Sequence, residues 1–222
     1  MRVRAGTAWR GSVTVVALLL GGALTACSGA PREGASTVRA TEATGTTGAA
    51  ARSGGTIGAR GSVCELPVTF DIAEDWKAVA VDPTAAGDSP AGEEVVDALL
   101  RQGPVTTVCE VDAKPAGHIG FLRVFTGPPG AGDARTVLRA FVAAEEDVSE
   151  ETYRSFTAGG LEGAEVEYVR TSELLDESKK ERALAVGTAQ GPVVLHLGGM
   201  DTEEHQQMLP AYELARRTLR GA

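Results

Sequence analysis

Residues 28–61 contain almost no side chain that could enter a hydrophobic core. Only Val38 and Ile57 are sizeable and apolar, and the rest are mainly Gly, Ala, Ser and Thr with scattered Arg. Such a segment buries too little apolar surface to offset the conformational entropy that ordering removes. The sequence therefore predicts a disordered tether over residues 27–61. One folded domain is predicted over residues 62–222, a length typical of single domains.

The first 26 residues have the three parts of an export signal. Arg2, Arg4 and Arg10 make the start positive, Val13 to Leu24 form an apolar run, and small residues lead out of it. The run is shorter than the roughly 20 apolar residues that a membrane-spanning helix needs. The segment is therefore interpreted as a signal peptide over residues 1–26.

The signal ends in Leu24-Thr25-Ala26-Cys27, which resembles the bacterial lipobox of Leu, a small or polar residue, Ala or Gly, and Cys. The resemblance implies cleavage before Cys27 and attachment of diacylglycerol to its thiol. Two acyl chains give stable anchoring, whereas one chain binds membranes only reversibly. We therefore expect a protein anchored at the extracytoplasmic face of the cell membrane. A plain secretory signal with a chance cysteine is the alternative.

The predicted domain is strongly acidic. Residues 62–222 contain 14 basic and 28 acidic residues, a net charge of −14. Nucleic-acid binding needs clusters of Lys and Arg, so we expect no nucleic-acid partner. The same charge disfavours a domain that lies flat on anionic lipid.

Two cysteines remain once Cys27 is assigned to the anchor. Cys64 and Cys109 form an even pair in a chain with an export signal, and disulfides persist in oxidising compartments. We expect these two residues to form a disulfide. A metal site with two thiolates is the alternative, but no further ligand lies near either cysteine in the sequence.

Apolar periodicity predicts an α+β fold, with a mainly antiparallel sheet and helices packed on it. A hairpin is expected between the first two strands, around a buried Trp76. The predicted strands cover residues 68–72, 77–81, 105–111, 119–125, 153–156, 164–171, 181–189 and 192–197. Residues 172–180 are predicted to be a polar turn. The predicted helices cover residues 93–101 and 134–146 and a C-terminal segment after residue 201.

Two aspartates mark predicted helix starts. Asp133 precedes the second helix and Asp201 the third, where Glu204 stands in the position of a capping box. Pro210 either kinks the third helix or begins a separate one.

The order of these elements is similar to the Mog1/PsbP-like fold of actinobacterial envelope lipoproteins of the LpqN type. The likeness rests on a strand that ends in a Trp turn (68–76), a later hairpin (164–189) and a strand before a C-terminal helix (193–220). Residues 192–199 and the helix after them also resemble small uncharacterised lipoproteins of streptomycete-like bacteria. Ala73 replaces the proline that the family has before the Trp turn. The resemblance implies scaffold or binding roles and supplies no catalytic residue.

Common catalytic motifs are absent from the sequence. It contains neither a Gly-Lys-Ser or Gly-Lys-Thr phosphate loop nor a Gly-x-Ser-x-Gly nucleophile elbow. The histidines are His118 in a turn, His196 in an apolar strand facing a hydrogen-bond partner or solvent, and His205 near a helix start. Acidic runs such as residues 145–147 are interpreted as solvated faces. A metal site of histidines and acids, or a glycosidase carboxylate pair, remains an alternative.

The sequence therefore favours a non-catalytic module that binds an unknown envelope protein or small ligand. We expect no cofactor, no metal and no catalytic residue. A small envelope enzyme, either a hydrolase or metal-dependent, is the alternative function.

Overall fold

A computed structural model describes residues 51–82, 90–172 and 176–222, which form eleven strands and three α-helices. A short 3₁₀ helix at Lys114–Ala116 joins two of the strands. In chain order the elements are β1 (Ser53–Ile57), β2 (Val68–Ala73), β3 (Lys77–Ala80), α1 (Pro90–Leu100), β4 (Arg101–Gln102), β5 (Val105–Asp112), β6 (Gly120–Thr126), α2 (Ala134–Val142), β7 (Val148–Ala158), β8 (Leu161–Ser172), β9 (Glu177–Thr188), β10 (Gly191–Gly199), α3 (Thr202–Thr218) and β11 (Arg220–Gly221).

Most strands belong to one large antiparallel sheet with the order β3-β5-β6-β10-β9-β8-β7, to which β4 adds by pairing with β5. Consecutive strands pair in β5–β6, β7–β8, β8–β9 and β9–β10. Short connections favour such antiparallel pairs, because parallel neighbours need a long crossover. The predicted α+β class with a mainly antiparallel sheet is confirmed.

The large sheet is the middle layer of three. On one face, β2 of the small sheet β1-β2-β11 and α3 pack through Phe70, Met208 and Tyr212 against residues such as Leu195 of β10. On the other face lies α2, whose buried residues are Val137, Leu138, Phe141 and Val142. Because both faces are covered, β10 is buried along almost its whole length.

Both predicted helix caps are present. The Asp133 carboxylate accepts a hydrogen bond from Thr136 N, and the Asp201 carboxylate accepts one from Glu204 N, both at 2.8 Å. The Glu204 side chain does not complete the capping box, because it contacts His118 Nδ1 at 2.8 Å instead. Pro210 lies inside α3, which continues to Thr218 as one helix.

The predicted hairpin between residues 68–72 and 77–81 is wrong. Strand β2 pairs with β1 on one edge and with β11 on the other, so it has no edge left for β3. The turn between β2 and β3 contains Asp75 in the left-handed region (φ 67°) and the buried Trp76. It carries the chain to the large sheet, where β3 pairs with β5.

Folded structure begins before residue 62. Strand β1 pairs with β2, and Ala51 N donates to Pro210 O of α3 at 3.4 Å. Backbone hydrogen bonds rather than apolar side chains hold this stretch, since only Ile57 of β1 is buried. A prediction based on apolar content therefore places the boundary too late. Residues 1–50, which include the predicted signal, Cys27 and most of the tether, lie outside the described residues.

Two strands are longer than the sequence pattern predicts. Strand β7 has eleven residues, whereas the sequence predicts only a short strand at 153–156. The prediction is too short because most side chains of β7 are exposed, so no apolar alternation marks the strand. Strand β9 begins at Glu177, within the predicted turn at 172–180. Residues 173–175 of that turn lie outside the described residues.

Cys64 and Cys109 form a disulfide, the pair that the cysteine count predicts. Cys64 lies in the loop between β1 and β2, and Cys109 lies on β5, with the two Cα atoms 6.0 Å apart. Both residues are buried. The bond therefore ties the small sheet to the large one. No helix among the described residues has the length and apolar character needed to cross a membrane.

Replacing both bonded cysteines with alanine should destabilise the domain. The bond closes a loop with a sequence separation of 45, which corresponds to about 4 kcal/mol in the chain-entropy model. We expect the Cys64→Ala/Cys109→Ala chain to lose about that much free energy of unfolding in urea titrations. Adding reductant should reproduce the loss in the wild-type chain and change nothing in the variant. Equal unfolding midpoints for the two oxidised chains would contradict the assignment.

Candidate functional site

Strand register brings three polar side chains together on the face of the large sheet that α2 covers. Tyr168 of β8 lies directly opposite Glu181 of β9. His196 of β10 lies opposite Ala183, two residues further along β9 than Glu181. Side chains on a strand alternate between its faces, so all three point to the α2 side with apolar neighbours such as Val166 and Ala183.

These side chains and Glu145 form a connected group, here called the buried polar cluster. The Tyr168 hydroxyl lies 2.8 Å from Glu145 Oε1, 3.2 Å from Glu181 Oε2 and 3.2 Å from His196 Nε2. His196 Nε2 lies 2.7 Å from Glu181 Oε2. The residues Tyr168, Glu181 and His196 are all buried.

Glu145 enters the cluster from the turn that follows α2. Its Oε1 atom also accepts a hydrogen bond of 2.6 Å from Gln102 Nε2, while its buried Oε2 atom has no hydrogen-bond donor. The nearest cation to Oε2 is Arg170, whose Nε atom is 3.6 Å away. The side chain is only 10% exposed, so the interpretation of residues 145–147 as a solvated face is wrong for Glu145.

Two cations stand between the cluster and solvent. Arg170 of β8 lies opposite Lys179 of β9. Each is two residues from its neighbour in the cluster, Tyr168 or Glu181, and on the same face of the sheet. Lys179 Nζ lies 2.8 Å from Glu181 Oε1 and donates to Gly199 O at 3.0 Å. Both cations also line a cavity of about 270 Å³, together with Ser172, Glu177, Met200 and Asp201.

Electrostatics define the proton positions in the cluster. Burial alone raises the pKa of Glu181, but His196 and Lys179 outweigh burial and hold that pKa well below its usual range. Burial, with the carboxylates of Glu181 and Glu145, raises the pKa of Tyr168 far above its usual range. Glu181 is therefore an ionised acceptor and Tyr168 a neutral donor. A hydrogen bond between His196 Nε2 and the ionised Glu181 requires the tautomer with a proton on Nε2.

A second polar network lies on the opposite face of the same strands. Arg182 of β9 pairs with Glu167 and lies 3.2 Å from Glu213 of α3. The Tyr212 hydroxyl of α3 donates to Glu165 at 3.0 Å. These contacts join β8 and β9 to α3 and do not line the cavity.

The other two histidines lie apart from the cluster's hydrogen bonds. His118 contacts Glu204, as described above. His205 of α3 is 1% exposed, and its Nδ1 atom has no hydrogen-bond partner within the described part of the chain. Burial, helped by the positive charge of Arg182, lowers the pKa of His205 to about 4.

Of the cluster, the sequence indicates His196 as a candidate but not its partners. Tyr168, Glu181 and Glu145 were missed, although Tyr168 and Glu181 each have an apolar neighbour, Val166 and Ala183, two residues away on the same face. A polar residue at such a position is a usable signal for a buried network. Its partners follow only from the strand register, which the sequence does not give.

The chain belongs to a family of uncharacterised lipoproteins, whose model matches residues 34–219. No curated protein matches it. One similar solved structure is the solution structure of cyanobacterial PsbP (CyanoP) from Synechocystis sp. PCC 6803. It is 14% identical, the match covers 70% of this chain and 87% of that chain, and the TM-score is 0.46. No residue role is carried over from that protein.

The low pKa of His205 predicts a loss of stability in acid. Between the ordinary pKa of 6.5 and about 4, the unfolded chain binds a proton at this residue and the folded chain does not. Stability should therefore fall as the pH falls through this window, by up to about 1.4 kcal/mol per pH unit from this group. Urea unfolding at pH 7, 6 and 5 measures the slope. The His205→Gln variant should show a flatter slope, and an unchanged slope would refute the assignment.

Proposed function

We propose that the chain is an extracytoplasmic lipoprotein anchored to the cell membrane through Cys27, with a non-catalytic domain that binds a ligand at the cavity beside the buried polar cluster. The lipobox-like sequence and the family of lipoproteins to which the chain belongs support the anchor. The predicted order of elements favours placing it with actinobacterial lipoproteins of the LpqN type.

The cavity is the observation that supports a binding role. It combines the two cations Arg170 and Lys179 with the exposed apolar side chain of Met200, which is 57% accessible. A methionine beside charged groups suits a small ligand with both apolar and polar parts, because its flexible thioether adapts to irregular shapes. A volume of about 270 Å³ is near the lower end of the usual range for ligand pockets.

Burial of the chemically active side chains supports the absence of catalysis. Tyr168, Glu181 and His196 are buried and bonded to one another. A general acid or base must come within hydrogen-bond reach of its substrate. Arg170 and Lys179 line the cavity and contact the carboxylates of Glu145 and Glu181, whereas Tyr168, Glu181 and His196 do not line it.

A small envelope enzyme is the second candidate, and one contact favours it. His196 is paired with an acid at 2.7 Å, as a general base is paired with the group that orients it. This role requires the cavity to open as far as His196. The binding role needs no such rearrangement.

The tether would hold the domain away from the lipid. Residues 27–50 are rich in Gly, Ala, Ser and Thr, and a flexible chain of that length has ends roughly 25–30 Å apart. This distance would place the acidic domain clear of the headgroups, in reach of proteins and ligands of the envelope.

Membrane attachment should depend on Cys27 alone among the cysteines. We expect the Cys27→Ala chain to appear in the medium or to remain as an unprocessed precursor, because no thiol is present to receive lipid. Detergent phase separation measures the change. The matched control is Cys64→Ala/Cys109→Ala, which should stay in the detergent phase. Equal partition of the Cys27→Ala and wild-type chains would refute the anchor.

Binding at the cavity can be tested without knowing the ligand. We expect native mass spectrometry of the full chain, extracted from its own host in mild detergent, to show a reproducible added mass. Met200→Glu should remove it by placing a charge on the apolar wall. Val79→Glu is the matched control, since Val79 is 50% exposed on β3 and does not line the cavity. A bare mass, or an added mass that survives Met200→Glu, would count against this binding site.

A further inference from the structure

We propose that the buried polar cluster binds one divalent transition-metal ion through Glu145, Glu181 and His196. This proposal goes beyond the proposed function by adding a metal ion as a second ligand, and the two share only the cavity. The sequence pattern led us to expect no metal, because no two histidines share the spacing of a helical metal motif. Here the ligands come from a turn and two strands, which only the fold brings together.

The three side chains offer a suitable set of donor atoms in a suitable space. One imidazole nitrogen and two carboxylate oxygens lie within 4.8 Å of one another. A tetrahedral ion with bonds of about 2.0–2.2 Å places its ligand atoms about 3.3–3.6 Å apart, so the widest of these separations has to contract by no more than roughly 1.5 Å. The mixture of imidazole and carboxylate suits Zn²⁺ and its neighbours better than Mg²⁺ or Ca²⁺, which prefer oxygen ligands alone.

A shortage of hydrogen-bond donors supports a cation at this place. Four close polar contacts share only the Tyr168 hydroxyl and His196 Nε2 as possible donors. Tyr168 lies near two carboxylate oxygens and can donate to only one of them. In addition, the buried Oε2 atom of Glu145, on a side chain nine-tenths buried, accepts no hydrogen bond. An unpaired buried acceptor is costly, and a metal ion bound to Glu145 would remove that cost.

Charge balance gives Arg170 and Lys179 a definite role. In the structure they neutralise the two carboxylates, Lys179 at 2.8 Å from Glu181 and Arg170 at 3.6 Å from Glu145. An incoming dication would replace that positive charge. Both side chains also line the cavity, where they can turn toward water. The two cations are therefore competitors of the metal, and the cavity is its route of entry.

Tyr168 would act as a positioning residue. Its hydroxyl lies within 3.2 Å of a donor atom from each of the three ligand side chains. It therefore holds the carboxylates and the imidazole at one point on the face of the sheet. Neighbouring groups of this kind orient metal ligands and commonly affect affinity by tenfold or more.

The test is a titration of the untagged full chain in detergent with Zn²⁺, in competition with a chromophoric chelator. We expect one Zn²⁺ per chain. Glu181→Gln should weaken binding at least tenfold, whereas Lys179→Met should strengthen it severalfold, because it removes a competitor and leaves every ligand in place. Cys64 and Cys109 are bonded to each other and offer no thiolate to the ion.

The matched control is Glu165→Gln. Glu165 is a buried carboxylate on β8 that accepts a hydrogen bond from a tyrosine, but it faces α3 and not the cluster. It should leave the Zn²⁺ affinity unchanged. If Glu181→Gln fails to fold, as judged by near-ultraviolet circular dichroism, the affinity of Lys179→Met decides the question. The proposal is overturned if no stoichiometric binding occurs, if Glu165→Gln and Glu181→Gln weaken it equally, or if Lys179→Met weakens it. None of these results bears on the Cys27 anchor or on the added mass tested with Met200→Glu.

Discussion

Both faces of the large sheet are covered, and the internal chemistry of the domain follows from this constraint. A polar side chain on a central strand cannot reach water, so it must find a partner inside the protein. Strands β8 and β9 carry polar side chains on both of their faces, near one end of each strand. Successive side chains point to opposite faces, so these residues form two separate sets. One set meets α3 and the other meets the segment after α2. The polar groups are therefore distributed by strand geometry and not by their order in the sequence.

The two networks differ in a way that matters for function. On the α3 side, Arg182 is placed between carboxylates of β8 and α3, and the contacts hold a helix against the sheet. On the α2 side, the buried Oε2 atom of Glu145 accepts no hydrogen bond, and a cavity adjoins the two neighbouring cations. The contacts on the α3 side therefore act as a structural joint between helix and sheet. A buried acceptor without a donor, beside a cavity, is better suited to binding and releasing a small species.

Local sequence patterns predict much of the fold. The predictions that fail concern pairings between residues far apart in the chain. The alternation in β5 and β6 and the caps at Asp133 and Asp201 depend on neighbouring residues, and these predictions are confirmed. The partner of β2 could not be predicted in this way, because one of its edges is taken by β11 at the far end of the chain. The same limit applies to the site. His196 is noticeable in sequence, but Glu145 and Glu181 reach it only through register and through the turn after α2.

The disulfide also determines how the domain responds to mechanical load. A pull on the N-terminal end of the chain acts first on β1, whose hold on β2 is mostly backbone hydrogen bonding. Extraction stops at Cys64, because the covalent bond transfers the load to Cys109 on β5 of the large sheet. At about 3.3–3.6 Å per residue, residues 51–63 would supply up to roughly 45 Å of extended chain while the core stayed intact. Strand β1 and the loop after it can therefore be pulled out of the domain only as far as the disulfide.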